Sequence, residues 1–249
     1  MLWIAIRMLT GDRTKFFGLL FGIGFSTLLI TQQLTIFVNL IQRGASGVYN
    51  VAEAQVWVMD PVSGVPVVEW AVPPLRANAS VRTETGDLEG VGIIGVDDAT
   101  LIGLPRRMIE GSHEVLARPD SVIIDDVGTT NMFPDQPTPV GETLELNDQR
   151  AVIRGVADAV PSFTSTVVLY TRYSQALRYV PGTRNRLSFV LVGAADGVSP
   201  DQLAARITEQ TGLRARTRDE FAQDGVDFII ENTGIPFNFG ITVLLGFIV

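Results

Sequence analysis

The chain has 249 residues, 46% of them hydrophobic, and a formal net charge of −8. Without cysteine it can form no disulfide or thiolate centre, and its single histidine excludes a zinc site built from His and Cys. Of its 19 basic residues all but Lys15 are arginine, and the acidic balance leaves no basic patch to neutralise phosphates, which argues against a nucleic-acid partner.

Residues 1–9, MLWIAIRML, are apolar nearly all round but too short to span a bilayer. They predict a helix lying in the cytoplasmic interface, with Trp3 as its aromatic anchor. Residues 10–14, TGDRT, break that pattern. Residues 16–38 then run for 23 positions without a formal charge. As a helix this stretch is about 34 Å long, against a hydrocarbon core of about 30 Å. A secretory signal has a shorter apolar region. The stretch therefore predicts a transmembrane helix, continued to about residue 43. Arg7, Arg13 and Lys15 precede it with only Asp12 opposing them, so the basic flank stays in the cytoplasm and the residues beyond the helix lie outside. Gly18, Gly22 and Ser26 share one face of this helix and are candidates for close packing against another helix.

Past Arg43 the periodicity turns strand-like. Residues 54–59, 75–82 and 89–96 read as strands, with prolines at 61, 66, 73 and 74 marking an irregular stretch and Glu84-Thr85-Gly86-Asp87 a turn. Residues 97–104 predict a short helix closed by Pro105, and a second helical piece is expected around 112–117. Residues 121–124 form a buried strand closed by Asp125-Asp126. Leu144 and Leu146, then Asn147-Asp148, then residues 151–156 predict a hairpin. A βαβα unit comes next: strand 166–170, helix 172–179, a loop at Pro181-Gly182, strand 187–192, and a helix from Ser199. The last has Pro200 at its first position, a capping box through Gln202 and a stop at Gly212. Residues 214–217 return to the same small sheet. Thr217 and Glu220 make a second capping box, opening a helix that carries Phe221 and Ile229. Residues 237–249 are free of charge but only half a span long, so the chain reads as the front portion of a longer membrane protein.

Catalytic chemistry is hard to find. A Walker A loop needs a lysine after glycine, and Lys15 lies between Thr14 and Phe16. No G-x-S-x-G frames a serine, so His113 reads as a surface histidine. Asp97-Asp98 and Asp125-Asp126 each come directly after a strand and read as caps rather than cation ligands. No catalytic residue, cofactor or metal is expected.

GVDDATLIGLP (residues 95–105), MIEG (108–111), RPDSVIIDD (118–126) and VGETLELNDQRAVIRGVAD (140–158) resemble the periplasmic core of MacB/FtsX-type ABC transporter permeases. The terminal TGIPFNFGITVLLGFIV is similar to the DevC-like branch. The resemblance implies an α+β membrane protein. Residues 1–15 form the cytoplasmic interfacial helix and 16–43 the first transmembrane helix. Residues 44–232 form a two-lobed periplasmic core with an inserted lobe at about 105–160, and 233–249 begin a second transmembrane helix. It further implies a permease subunit of the bacterial inner membrane that dimerises and transmits the work of a separate ABC ATPase to the periplasm for export or efflux. A membrane-fusion protein and an outer-membrane channel are the envelope partners to be expected. A two-span sensory receptor would also place a mixed domain between two helices, and a membrane-anchored enzyme is a third class. Two further spans after Val249 would favour the permease, and a signalling domain the receptor.

Overall fold

The structure, a computed structural model, describes residues 3, 7, 11–59, 68–82, 86, 88–136, 138–161, 165–180, 182 and 189–248. Expectations for the interfacial segment beyond Trp3 and Arg7, for the 84–87 turn beyond Gly86, for prolines 61 and 66, and for Pro181 lie outside these residues. The chain divides into two compact units, Met1–Gln42 with Val226–Val249, and Arg43–Gly225.

In the first unit, helix α1 (Arg13–Tyr49) starts where the TGDRT break predicts a boundary. Asp12 caps it, accepting from the backbone N–H of Thr14 at 3.1 Å and of Lys15 at 3.2 Å. Its most apolar 18-residue window has a mean hydropathy of 1.5 and is only 6% buried. A water-soluble protein would be expected to hide so much apolar helix surface, and a lipid bilayer removes the need. The helix runs past residue 43 to Tyr49, where the sequence predicts strand-like periodicity. Ser46 and Gly47 are weak helix formers, held helical by tertiary contacts at the helix end. Residues 218–232 (α5, Arg218–Asn232) and 235–248 (α6, Ile235–Ile248) are separated by a 62° bend at Thr233-Gly234.

The second unit is built on two sheets. The smaller contains β1 (Val56–Val58), β2 (Val68–Val72), β10 (Val190–Ala194) and β11 (Ala215–Thr217) in the antiparallel order β11-β1-β10-β2. One face, with Val56, Val58, Val190 and Val192, packs on Leu203, Ala204 and Ile207 of α4 (Pro200–Thr211). That helix has the capping box of Ser199 and Gln202 and the left-handed Gly212 that the sequence predicts. The prolines around β2 predict an irregular stretch, yet a strand forms. It lies at the sheet edge and stops before Pro73, where the missing N–H costs nothing.

The larger sheet contains β3 (Leu75–Arg82), β4 (Leu88–Val96), β5 (Met108–Glu110), β6 (Ser121–Asp125), β7 (Thr143–Leu146), β8 (Gln149–Ala157) and β9 (Val168–Arg172). Its order is β5-β8-β6-β9-β4-β3-β7, and β7 also pairs with β8, so six strands close into a ring. Alternation along each strand sends Ala79, Val81, Val91, Ile93, Val122, Ile124, Leu144, Leu146, Ile153 and Leu169 into one interior cluster. Helix α3 (Tyr173–Tyr179) seals it with Ala176 and Tyr179. A side chain at Gly95 would come within 2.8 Å of Ala176 Cβ, so glycine is what lets α3 lie that close.

Two expectations fail here. Strands 166–170 and 187–192 do not share a sheet: the first is β9 of the ring and the second β10 of the small sheet. The lobe expected at 105–160 is also wider, because the ring draws strands from residues 75–172. Both differences come from long-range pairings, such as β4 with β9, which local periodicity does not encode. Nor is 97–104 a helix. Leu101 and Gly103 have φ of 58° and 112°, and the Asp97 carboxylate closes a turn by accepting from Ala99 and Thr100.

The β7–β8 hairpin turns on Asn147 and Asp148, at φ 46° and 63°, the left-handed pair of a two-residue turn. Asn147 also ties the ring together, accepting from Ser80 N at 2.9 Å and donating to Tyr179 O at 2.9 Å. Asp148 carries a Cβ in this strained region without such bonds in compensation, so Asp148→Gly is expected to raise stability by about 0.5–1 kcal/mol in thermal melts.

Candidate functional site

Among the described residues no group of three or more His, Cys, Asp or Glu side chains is placed to hold a metal, and His113 rests its Nε2 3.1 Å from the Pro105 carbonyl in a structural contact. The carboxylate pairs act as caps. Asp98 accepts from Ser174 N at the start of α3. Asp125, fully buried, accepts from Gly128 N at 2.8 Å, capping α2 (Asp126–Met132), and from Val168 N on β9. Burial pushes its carboxyl up to about 6, against the lowering effect of those two N–H groups.

Several polar ties gather in the second unit where α1 ends. Ser46 Oγ donates to Arg43 O at 2.9 Å and lies 3.1 Å from Pro161 O. The Asn50 amide donates to Val160 O at 2.8 Å and accepts from Val160 N at 3.3 Å, reading a backbone edge as another strand would. Ala52 N donates to Leu104 O at 3.3 Å, and Arg106 donates to Ala52 O at the same distance. The helix end and the residues after it are thereby fastened to the large lobe through polar backbone groups.

Apolar packing fastens them to the small lobe. Val48, Val51, Ala54, Trp57, Val72, Leu191 and Ala222 form one buried cluster. Trp57, on the face of β1 opposite α4, packs 4.7 Å from Phe189 and stacks at 5.1 Å on Phe221 of α5. The start of α5 also touches α1 directly: Tyr49 Oη donates to the Asp219 carboxylate at 3.3 Å, and a Cβ on Gly225 would stand 2.9 Å from the Gly44 carbonyl oxygen. Arg214 and Arg216 both reach Asp224, holding α5 to β11. The helix that enters the second unit and the one that leaves it thus meet at a single junction, backbone against backbone, with both lobes attached.

The three packing candidates are placed differently from one another. Gly18 is exposed, with nothing within 4 Å of where its Cβ would be. Gly22 is half-buried, and Ser26 is 8% exposed. A Cβ on Gly246 of α6 would lie 2.9 Å from the Ile30 side chain and 3.6 Å from Ser26 O, and Phe37 stacks on Phe239 at 4.8 Å. Sequence reasoning missed the junction residues Asn50, Trp57, Gly225 and Gly44. The signals present were Gly44 and Gly47 within a helix and a second glycine in the helix opened by Thr217, which suit close backbone approach.

The profile of the MacB-like periplasmic core domain matches residues 17–210. The chain belongs to that family. Its fold is accordingly a MacB-like α+β periplasmic core, preceded by one helix long and apolar enough to cross a membrane. The macrolide export ATP-binding/permease protein MacB of Agrobacterium fabrum is 27% identical over 178 residues, covering 68% of this chain and 26% of its own length. The chain thus spans about a quarter of that relative. Among solved structures, the periplasmic region of MacB from Actinobacillus actinomycetemcomitans is similar at 14% identity and a TM-score of 0.47, covering 74% of this chain and 95% of its own. The extracellular domain of the noncanonic ABC-type transporter YknZ from Gram-positive bacteria is similar at 14% identity and a TM-score of 0.45, covering 67% and 99%.

Proposed function

We propose that this chain is the mechanical part of an ABC transporter permease of the bacterial inner membrane, in which a separate ATPase moves α1 and the periplasmic domain moves with it. The observation that carries this reading is the unbroken course of α1 from its apolar stretch into the junction at residues 43–52. A flexible linker at the membrane surface would dissipate a displacement, whereas a continuous helix fastened to both lobes passes it on. The Agrobacterium relative, named as both ATP-binding and permease, supports an ABC motor for this work.

On this reading residues 1–15 lie at the cytoplasmic face, residues 16–43 cross the membrane, and the domain up to about residue 232 works in the periplasm as half of a homodimer. A membrane-fusion protein and an outer-membrane channel are its envelope partners, and the cargo is exported. Gly22 and Ser26 serve α1 as a helix-contact face, and Gly18 remains for a partner. With Lys15 placed where it cannot serve a phosphate loop, the chain should neither bind nor hydrolyse ATP. The complete permease, reconstituted with its cognate ATPase, should change the hydrolysis rate several-fold. A rate equal to that of the isolated ATPase, with export surviving loss of the ATPase's catalytic base, would refute the reading.

A further inference from the structure

One side of α1 is taken up by α6, through Ser26, Ile30 and Phe37. The far side carries a second row. Phe21, Phe25, Leu28, Gln32, Thr35 and Asn39 follow one another at intervals of four, three, four, three and four residues, and all six are exposed. Gly18, three residues before Phe21 and with nothing within 4 Å of its Cβ position, continues the row toward the basic flank. This alternation of three and four is that of a seam between two helices wound left-handed about each other. One member of the row does not suit lipid. The charge-free run 16–38 centres on residue 27. Gln32 therefore lies about 7.5 Å past the middle, inside the roughly 15 Å half-thickness of the hydrocarbon. The threonines nearby satisfy their hydroxyls on their own helix: Thr27 Oγ1 donates to Ile23 O at 2.8 Å and Thr35 Oγ1 to Thr31 O at 2.9 Å. A carboxamide has two N–H groups and a carbonyl to satisfy, and an exposed one at this depth finds no water. Asn39, nearer the headgroups, already interacts within the chain. Gln32 is thus the group that calls for a partner from outside.

We propose that Gln32 pairs with the same residue of a second copy of this chain, as the polar lock of a parallel seam between two α1 helices. Both copies insert with the basic flank inside, so a two-fold axis along the membrane normal brings like residues together at one depth. A carboxamide is complementary to itself there: each Nε2–H donates to the other's Oε1. The row carries no charge, so two copies do not repel each other. Gly18 lets the backbones approach at one end, and Phe21, Phe25 and Leu28, the last 63% exposed, supply apolar packing. The Gln32 pair then fixes rotation and register, because a slide of one turn leaves both amides in hydrocarbon.

The seam presupposes the homodimer proposed above, and two measurements on the full-length permease in native membranes keep them apart. Energy transfer between copies labelled with donor and acceptor on the cytoplasmic side reports dimerisation itself, and its absence would overturn homodimer and seam together. With transfer present, oxidative cross-linking of single cysteines in a cysteine-free background reads the contact face. Leu28→Cys, Gln32→Cys and Thr35→Cys should each join two copies, while Leu34→Cys, 50% exposed on another face of α1, should not. Gln32→Leu should weaken the dimer about three- to tenfold in the energy-transfer titration, and Gln32→Asn, which keeps the amide, less than that. Cross-linking at position 34 in place of 32, or a Gln32→Leu dimer as tight as wild type, would overturn the seam and leave the homodimer standing.

Discussion

Leucine in place of Gly225 is expected to abolish export by the full-length permease while the periplasmic domain remains folded. Its Cβ would stand 2.9 Å from the Gly44 carbonyl oxygen, and that obstacle is backbone inside a helix, which cannot swing aside as a side chain does. The two helices must part. Overpacking of this kind costs about 1–3 kcal/mol, a melting midpoint lower by about 2–10 °C for a domain of this size. The functional loss should be far larger than that implies, because Ala222 and Phe221 move away from Val48 and Trp57 and the junction no longer grips α1. Gly90→Leu, where nothing lies within 4 Å of the new Cβ, is the matched control and should export normally. Export and melting measured together on both variants check this. Equal effects would mean that the close approach of α1 and α5 has no role in transport.

Asp125→Ala should destabilise the ring about as much as emptying a core position. It removes the cap of α2, worth about 1 kcal/mol, and leaves the buried Val168 N–H without its acceptor, worth about 1–3 kcal/mol more. The same residue gives stability a pH dependence whose sign is set by its position. Burial raises its carboxyl to about 6 when folded, above the ordinary value of 3.8. Between those values the folded chain holds a proton that the unfolded chain releases. Its favourable contribution is therefore complete below about pH 4 and disappears as pH rises through about 6. Against Asp125→Asn, which does not titrate, the wild-type chain should lose about 2 kcal/mol of stability between pH 4 and pH 7. Denaturant titrations of both proteins across that range decide it, and a difference that is flat or grows with pH would contradict the assignment.

Much of the architecture was legible wherever one segment carries its own signal. The charge-free run after Phe16, the capping boxes at Ser199 and Thr217, and the Asn147-Asp148 hairpin all form as their residues dictate. What the sequence hid was closure. Nothing local says that β7 will pair with both β3 and β8, or that β9 and β10 will leave for different sheets. The junction was hidden for the same reason. Asn50 meets Val160 and Gly44 meets Gly225 across long stretches of chain, and each reads locally as an ordinary helix-end polar residue or a helix glycine. The small-residue stripe at Gly18, Gly22 and Ser26 was legible as a pattern, whereas the approach of Gly246 on α6 to Ile30 and the Ser26 backbone was not.

The continuity of α1 into the junction is the point on which the functional account turns, and it can be cut without touching either the apolar stretch or the lobes. Three glycines inserted between Gln42 and Arg43 would leave both ends of the helix able to form and remove the stiff connection between them. In the full-length permease with its ATPase, the insertion should leave nucleotide hydrolysis near the wild-type rate and stop export. Spin labels placed in this cysteine-free background on β7 and on α4 should then no longer report nucleotide-dependent changes in distance to the membrane segment. Export that continues undiminished through the flexible insertion would contradict the account.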